Sequence, residues 1–194
     1  MKQRSSESKP SIDELRAELE RVRYWRSYRS ALRSTISTLI VAAAAAVLIA
    51  AIWMPVLRIY GSSMAPTLAE NDIVVSLKSS RVQQGDLVAF YLGNKILVRR
   101  CIACPGQWVD IDADGVVYVD EKPLDEPYLT EKALGSCDIE LPCQVPELQY
   151  FCMGDHRAMS PDSRNESIGC VPSEQIIGRI VFRVWPLDSL GRVA

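Results

Sequence analysis

Ser63 stands in the run Gly61-Ser62-Ser63-Met64-Ala65-Pro66-Thr67-Leu68, where glycine and proline bracket a hydroxyl that could attack an acyl carbon. The commoner fate of a serine in such a turn is a hydrogen bond to its own backbone. The case for chemistry comes from the blocks that follow in order: Gly85-Asp86-Leu87-Val88-Ala89-Phe90, Leu97-Val98-Arg99-Arg100, Pro105-Gly106, Gly154-Asp155-His156-Arg157, Ser160-Pro161-Asp162-Ser163-Arg164 and Gly169. A serine is a weak nucleophile until one neighbour takes its proton and another holds that neighbour in place. Acyl transfer is the reaction these residue types suggest.

Those blocks need a scaffold and a location. The chain has 194 residues and a formal net charge of -2, enough for one globular domain plus an anchor, with no bulk electrostatic case for nucleic-acid binding. No charged residue occurs between Arg33 and Arg58, and Leu39 to Ile52 is almost wholly Leu, Ile, Val and Ala. A bilayer span needs roughly 20 apolar residues, which the segment 35–57 supplies, with Trp53 as an interfacial anchor near its outer end. Arg21, Arg23, Arg26, Arg29 and Arg33 precede it with no acid among them, which puts the N-terminus in the cytoplasm and residues 58–194 outside. The alternative is a cleaved signal peptide. The polar region before the span is longer than thirty residues, and the span exceeds the ~7 to 15 apolar residues of a signal peptide, so an anchor is the better reading.

Residues 1–10 read as a disordered tail. Ser11 and Glu14 fit a capping box, and Ile12, Leu15, Leu19, Val22 and Trp25 recur at helical spacing, so residues 1–34 are expected to be a tail and a short amphipathic helix. That helix is either a partner or membrane-surface element or a solvated lead-in to the anchor, and the second is the simpler reading. Beyond the span the pattern becomes short apolar runs bounded by turn residues. Strands are expected at Ile73 to Leu77, Leu87 to Leu92, Ile96 to Ala103, Trp108 to Ile111, Val116 to Val119, Tyr150 to Met153 and Ile176 to Trp185. Residues 120–149 are irregular and proline-bearing, within a segment of about 104–149 expected to be an excursion from the catalytic sheet. The fold class expected is mainly β, with one N-terminal transmembrane helix.

These blocks, in this order after a single anchor, resemble the bacterial type I signal peptidase family over roughly residues 35 to 187. The resemblance implies a signal-peptidase-like β fold and a membrane-anchored serine endopeptidase that removes signal peptides from exported proteins. It implies that Ser63 is the nucleophile and that the Ser63 backbone N–H helps form the oxyanion hole. It further implies that Ser160 hydrogen-bonds the general base, and that Asp162 pairs with Arg100 and Arg164 to hold the base-bearing strand. Ile59, Met64, Leu68 and Val98 fall where that family lines its small-residue pockets, although for each position taken alone ordinary core packing is the simpler reading. The implied partners are signal peptides of secreted preproteins and the lipid bilayer; no nucleic acid, cofactor or metal is implied. An exposed strand edge can bind an extended peptide by backbone hydrogen bonds, and shallow apolar pockets then refuse side chains larger than alanine.

The chain departs from the family at the base. The family places a lysine immediately before the arginine of the strand dipeptide, and here that position is Arg99. A lysine must fall from ~10.4 to about 7 or 8 to accept a proton, roughly 4 kcal/mol of burial and neighbour effects. An arginine starts far higher, would need roughly 8 kcal/mol and does not deprotonate in proteins. Lys95 is a poor substitute, because at ~3.3 Å per residue its Cα lies about 13 Å from that of Arg99. His156 is chemically suited, but its place in the Gly-Asp-x-Arg block reads as a hydrogen-bonded loop histidine. The alternative function is therefore a catalytically weak or inactive paralogue that acts as a binding or assembly factor. A self-cleaving repressor looks similar around a Ser-Lys pair, but the span and the Gly-Asp-x-Arg block speak against it.

All six cysteines follow the span, where an oxidising compartment would permit disulfides. A zinc site would need a second Cys-x-x-Cys, which is missing. In an extended strand Cys101 and Cys104 are about 10 Å apart, beyond the ~7 Å limit for bridging, unless the Pro105-Gly106 turn begins early. Cys137 with Cys143 is the most plausible single pairing, and the full connectivity stays open.

Overall fold

The computed structural model describes residues 12–78 and 81–193, so the expected tail and the Ser11 cap lie outside the described residues. The chain separates into two compact units, divided after Ala51. Among the described residues the first is formed by one helix, α1 (Ile12–Trp53), whose last two residues fall in the second, with a membrane-length apolar stretch ending at Trp53. It runs unbroken through the arginine cluster, so the expected short amphipathic helix and the expected span are one element. Arginine is a good helix former, and nothing between Val22 and Ser34 is a glycine or proline that would interrupt the turn. The far boundary also shifts: Val56 and Leu57, expected in the span, belong to the sheet.

Among its described residues the second unit holds twelve strands: β1 (Val56–Arg58), β2 (Ile73–Leu77), β3 (Leu87–Leu92), β4 (Lys95–Ala103), β5 (Trp108–Ile111), β6 (Val117–Val119), β7 (Lys122–Pro123), β8 (Cys143–Gln144), β9 (Gln149–Met153), β10 (Val171–Pro172), β11 (Ile176–Trp185) and β12 (Gly191–Arg192). An eight-stranded sheet runs β1-β2-β11-β3-β4-β9-β10, with β12 on β11, and a four-stranded sheet runs β7-β6-β5-β8. Every pairing is antiparallel. The small sheet is the excursion of residues 104–149, and its β5 and β6 alternate buried and outward residues as a one-faced sheet must.

Three apolar clusters hold the body together. Val109, Ile111, Val117 and Val119 of the small sheet meet Ile102, Phe151 and Met153 of the large one. Ile59, Met64 and Leu68 of the nucleophile loop pack on Val74, Leu87, Ala89, Val98 and Ile180. Val88, Phe90, Cys101, Tyr150, Cys152 and Val171 form the third. The second cluster fixes the site, because the loop carrying Ser63 is anchored on either side of the serine by side chains inside the core.

Candidate active site

Ser63 lies in the loop between β1 and β2, whose shape comes from two internal bonds, Ala65 N–H to Ser62 O (3.0 Å) and Leu68 N–H to Met64 O (2.9 Å). Gly61 enters this loop at φ +80°, in the left-handed region that side chains disfavour. Arg99 and Arg100 sit side by side on β4 and are both buried, at 3% and 2% exposure. Burying a guanidinium is costly unless its donors are met. The two arginines meet that demand differently.

Arg100 forms a fork on Asp155, with Nε to Oδ1 at 3.0 Å and Nη2 to Oδ2 at 2.8 Å, while the ring of Tyr128 stacks on its guanidinium at 3.8 Å. Arg99 makes no ion pair among the described residues. Its Nε and Nη2 donate to Pro161 O at 3.0 and 2.7 Å, and its Nη1 donates to Val98 O at 2.6 Å and to Ser63 Oγ at 2.8 Å. Burial lowers its pKa from the ordinary arginine value, while Asp162 and Cys152 oppose that shift. Arg99 is thus delivered to the nucleophile as a fixed hydrogen-bond donor.

The expected pairing of Asp162 with both arginines holds for one of them. Asp162 binds Arg164, with Nε to Oδ1 at 2.9 Å and Nη2 to Oδ2 at 2.8 Å, and accepts Gly154 N–H at 3.0 Å. Arg100 goes to Asp155 instead. Ser160 is buried, but its Oγ has no hydrogen-bond partner, so the expected bond to the residue at the base position is not made. Arg99 reaches past it to Pro161 O. Close packing explains the tight fit: a Cβ at Gly154 would lie 2.0 Å from Ser160 Oγ and 2.6 Å from Ser63 O. The His156 backbone N–H donates to Ser63 O at 3.1 Å, and its Nδ1 is buried without a partner, so the expected side-chain bond of that loop histidine is not formed at Nδ1. Lys95 is exposed at the far end of β4.

A cleft of about 650 Å³ opens over Ser63 and Arg99, with Ile59, Met64 and Val98 in its lining and Tyr60, Ile96 and Met159 exposed around it. Leu68 is fully buried and does not line it, so of the four expected pocket residues three reach the cleft. β1, an edge strand of the large sheet, contributes Val56, Leu57 and Arg58 to the same cleft.

Two residues that matter lie in the excursion and escaped the sequence reading. Glu126 is buried against Arg157, pairing with both terminal nitrogens of its guanidinium, while Arg157 Nε donates to Gly154 O at 3.1 Å. Tyr128 donates its hydroxyl to Glu126 at 2.9 Å and presents its ring to Arg100; burial and then the Glu126 charge raise its pKa. The available signal was an acid-Pro-aromatic triplet inside a segment otherwise read as irregular. Among the described residues no group of His, Cys, Asp or Glu side chains is arranged to hold a metal ion.

Residues 32–185 match the signal peptidase family, peptidase S26. Signal peptidase I of Bacillus licheniformis is 31% identical over 175 residues, covering 84% of this chain and 93% of that protein. The probable signal peptidase I-1 of Synechocystis is 36% identical over 147 residues, covering 68% of this chain and 71% of that protein. The crystal structure of a signal peptidase I from Enterococcus faecalis V583 aligns at 26% identity over 51% of this chain and 96% of that one, with a TM-score of 0.42.

Proposed function

The chain belongs to the signal peptidase family, peptidase S26, and from that premise we propose that Ser63 is the nucleophile of a signal peptidase whose Arg99 assists as a cation and not as a base. The protein is a membrane-anchored serine hydrolase that removes signal peptides. The observation that carries the assignment of Ser63 is the 2.8 Å bond that its Oγ accepts from Arg99 Nη1.

The reaction follows from that polarity. Ser63 Oγ attacks the carbonyl carbon of the scissile peptide bond, and the proton it sheds passes to water or hydroxide, since Arg99 already carries all its protons. The fixed guanidinium stabilises the negative charge that gathers on Oγ in a site partly withdrawn from water. The Ser63 backbone N–H steadies the oxyanion of the tetrahedral intermediate, which collapses to an acyl-serine as the departing amine takes a proton from water. A second water then hydrolyses the ester. Asp162 with Arg164, and Arg100 with Asp155, hold β4 and the Ser160 loop in register around the serine. Ile59, Met64 and Val98 shape the cleft for small side chains, and the edge of β1 offers the substrate an extended backbone to pair with.

The arginine-rich stretch before the apolar segment supports a single pass with the N-terminus in the cytoplasm and residues 58–194 outside, in contact with the bilayer that holds the substrate. The test is cleavage of an Ala-x-Ala peptide by the full chain in detergent, read by mass. A single cut that disappears in Ser63→Ala supports the reading; a cut that survives that substitution sinks it.

A further inference from the structure

Three thiols occupy one spot beside the site. Cys101 on β4 lies directly across from Cys152 on β9, both are fully buried, and half-buried Cys104 packs against the same cluster. The Cys101 thiol donates to Ala103 O at 3.7 Å and the Cys104 thiol to Val82 O at 3.9 Å. Extended geometry alone would keep Cys104 about 10 Å from Cys101. A β-bulge between Cys101 and Ala103 interrupts that extended geometry, and Cys104 packs against the cluster that holds Cys101 and Cys152.

The backbone says which pair can bridge. Cys101 N–H donates to Asp86 O at 2.8 Å and Cys101 O accepts from Gly85 N at 2.8 Å, so both groups face β3. Cys152 N–H donates to Ser163 Oγ at 2.9 Å and Cys152 O accepts from Ser163 N at 3.0 Å. Neither residue spends a backbone bond on the other, which makes them a non-hydrogen-bonded antiparallel pair. Such pairs hold their Cα atoms about 4.5 Å apart, inside the ~4.4 to 6.8 Å that a disulfide spans.

We propose that Cys104, Cys101 and Cys152 form a thiol relay that takes a disulfide from an external protein disulfide or a glutathione-type disulfide and deposits it as a Cys101–Cys152 cross-link between β4 and β9. Cys104 thiolate attacks the external disulfide, forming a mixed disulfide and expelling one thiolate. Cys101 thiolate attacks the Cys104 sulfur, expelling the second thiolate and leaving Cys101–Cys104. Cys152 thiolate then attacks the Cys101 sulfur and releases Cys104. Two protein thiols are oxidised, the external disulfide is reduced to two thiols, and the two protons lost go to those products. The bond ties the strand bearing Arg99 and Arg100 to the strand that leads into Gly154 and Asp155. The Cys104 thiol is pushed up by the neighbouring Cys101 thiol and by burial, so the first step starts from a small thiolate fraction and quickens as pH rises.

Full-length protein in detergent is treated with oxidised glutathione, quenched by alkylation and mapped by mass after non-reducing digestion. Cys143 and Cys170, which pack against a different apolar cluster, serve as an internal comparison. The expected product is a Cys101–Cys152 link with Cys104 alkylated. Cys104→Ser should reach the same product roughly tenfold more slowly, and Cys152→Ser should stop at Cys101–Cys104. Full alkylation of all three thiols after oxidation overturns the proposal, as does a Cys104→Ser variant that cross-links at the wild-type rate.

Discussion

Arg99 Nη1 donates a hydrogen bond to Ser63 Oγ across 2.8 Å, so the nucleophile faces a group that can stabilise its anion and cannot take its proton. Lysine at this position could do both once burial had lowered its pKa. Arg99→Lys should therefore raise kcat/KM for an Ala-x-Ala peptide by roughly 10² to 10⁴, the usual contribution of a general base. Steady-state kinetics of the two proteins side by side checks this, and an unchanged or lower rate would show that the Arg99 geometry is itself the optimum.

The pH profile should separate the two proteins independently of their absolute rates. Burial lowers the Arg99 pKa, but a guanidinium keeps its protons in proteins, so the side chain contributes no inflection. Proton removal by hydroxide then gives a kcat/KM that climbs about tenfold per pH unit through neutrality. The Arg99→Lys profile should level off above the lysine pKa. A wild-type plateau through neutrality would rule out hydroxide as the acceptor.

Asp162 and Arg164 are both fully buried and answer each other through two hydrogen bonds. Asp162→Ala leaves the Arg164 charge with no carboxylate and strips Gly154 N–H of its acceptor. The expected loss is about 3 to 5 kcal/mol of stability, visible as a large fall in the midpoint of tryptophan-monitored unfolding. Removing only one surface pair, such as Arg16 with Asp13, should leave the midpoint where it was.

Leu68 and Ile59 should part company on mutation. Leu68 is fully enclosed away from the cleft, so Leu68→Ala should cost about 2 to 5 kcal/mol in stability and leave the preference for small side chains intact. Ile59 lines the cleft, so Ile59→Ala should widen the range of accepted residues beside the cut. Competition between Ala-x-Ala and Val-x-Val peptides reads the difference.

The strands that were legible in the sequence are those with three or more apolar or β-branched residues between turn formers: Ile73–Leu77, Leu87–Leu92, Trp108–Ile111 and Ile176–Trp185 keep their expected bounds. The two-residue strands at Lys122, Cys143, Val171 and Gly191 carry no periodicity to detect, and Val56–Arg58 is hidden because its apolar residues continue those of the helix. In the site, the closeness of Ser63 to position 99 was legible only through the family resemblance. Which carboxylate serves which arginine was not, because sequence order places Asp155 and Asp162 equally well and only the fold decides. Glu126 and Tyr128 were hidden by the same limit, since their partners are 28 or more positions away.

β11 lies between β2 and β3, with the nucleophile loop hanging from one side and the arginine strand from the other. It is also the last long strand to be made. All of Ser63, Arg99 and Ser160 leave the ribosome before it, yet the spacing between the first two is set by a strand that must insert between partners already synthesised. Closure of this sheet is thus a non-local and slow step. A newly made copy has its full set of reactive groups before it has an assembled site, which keeps the protease silent while its own chain is still emerging.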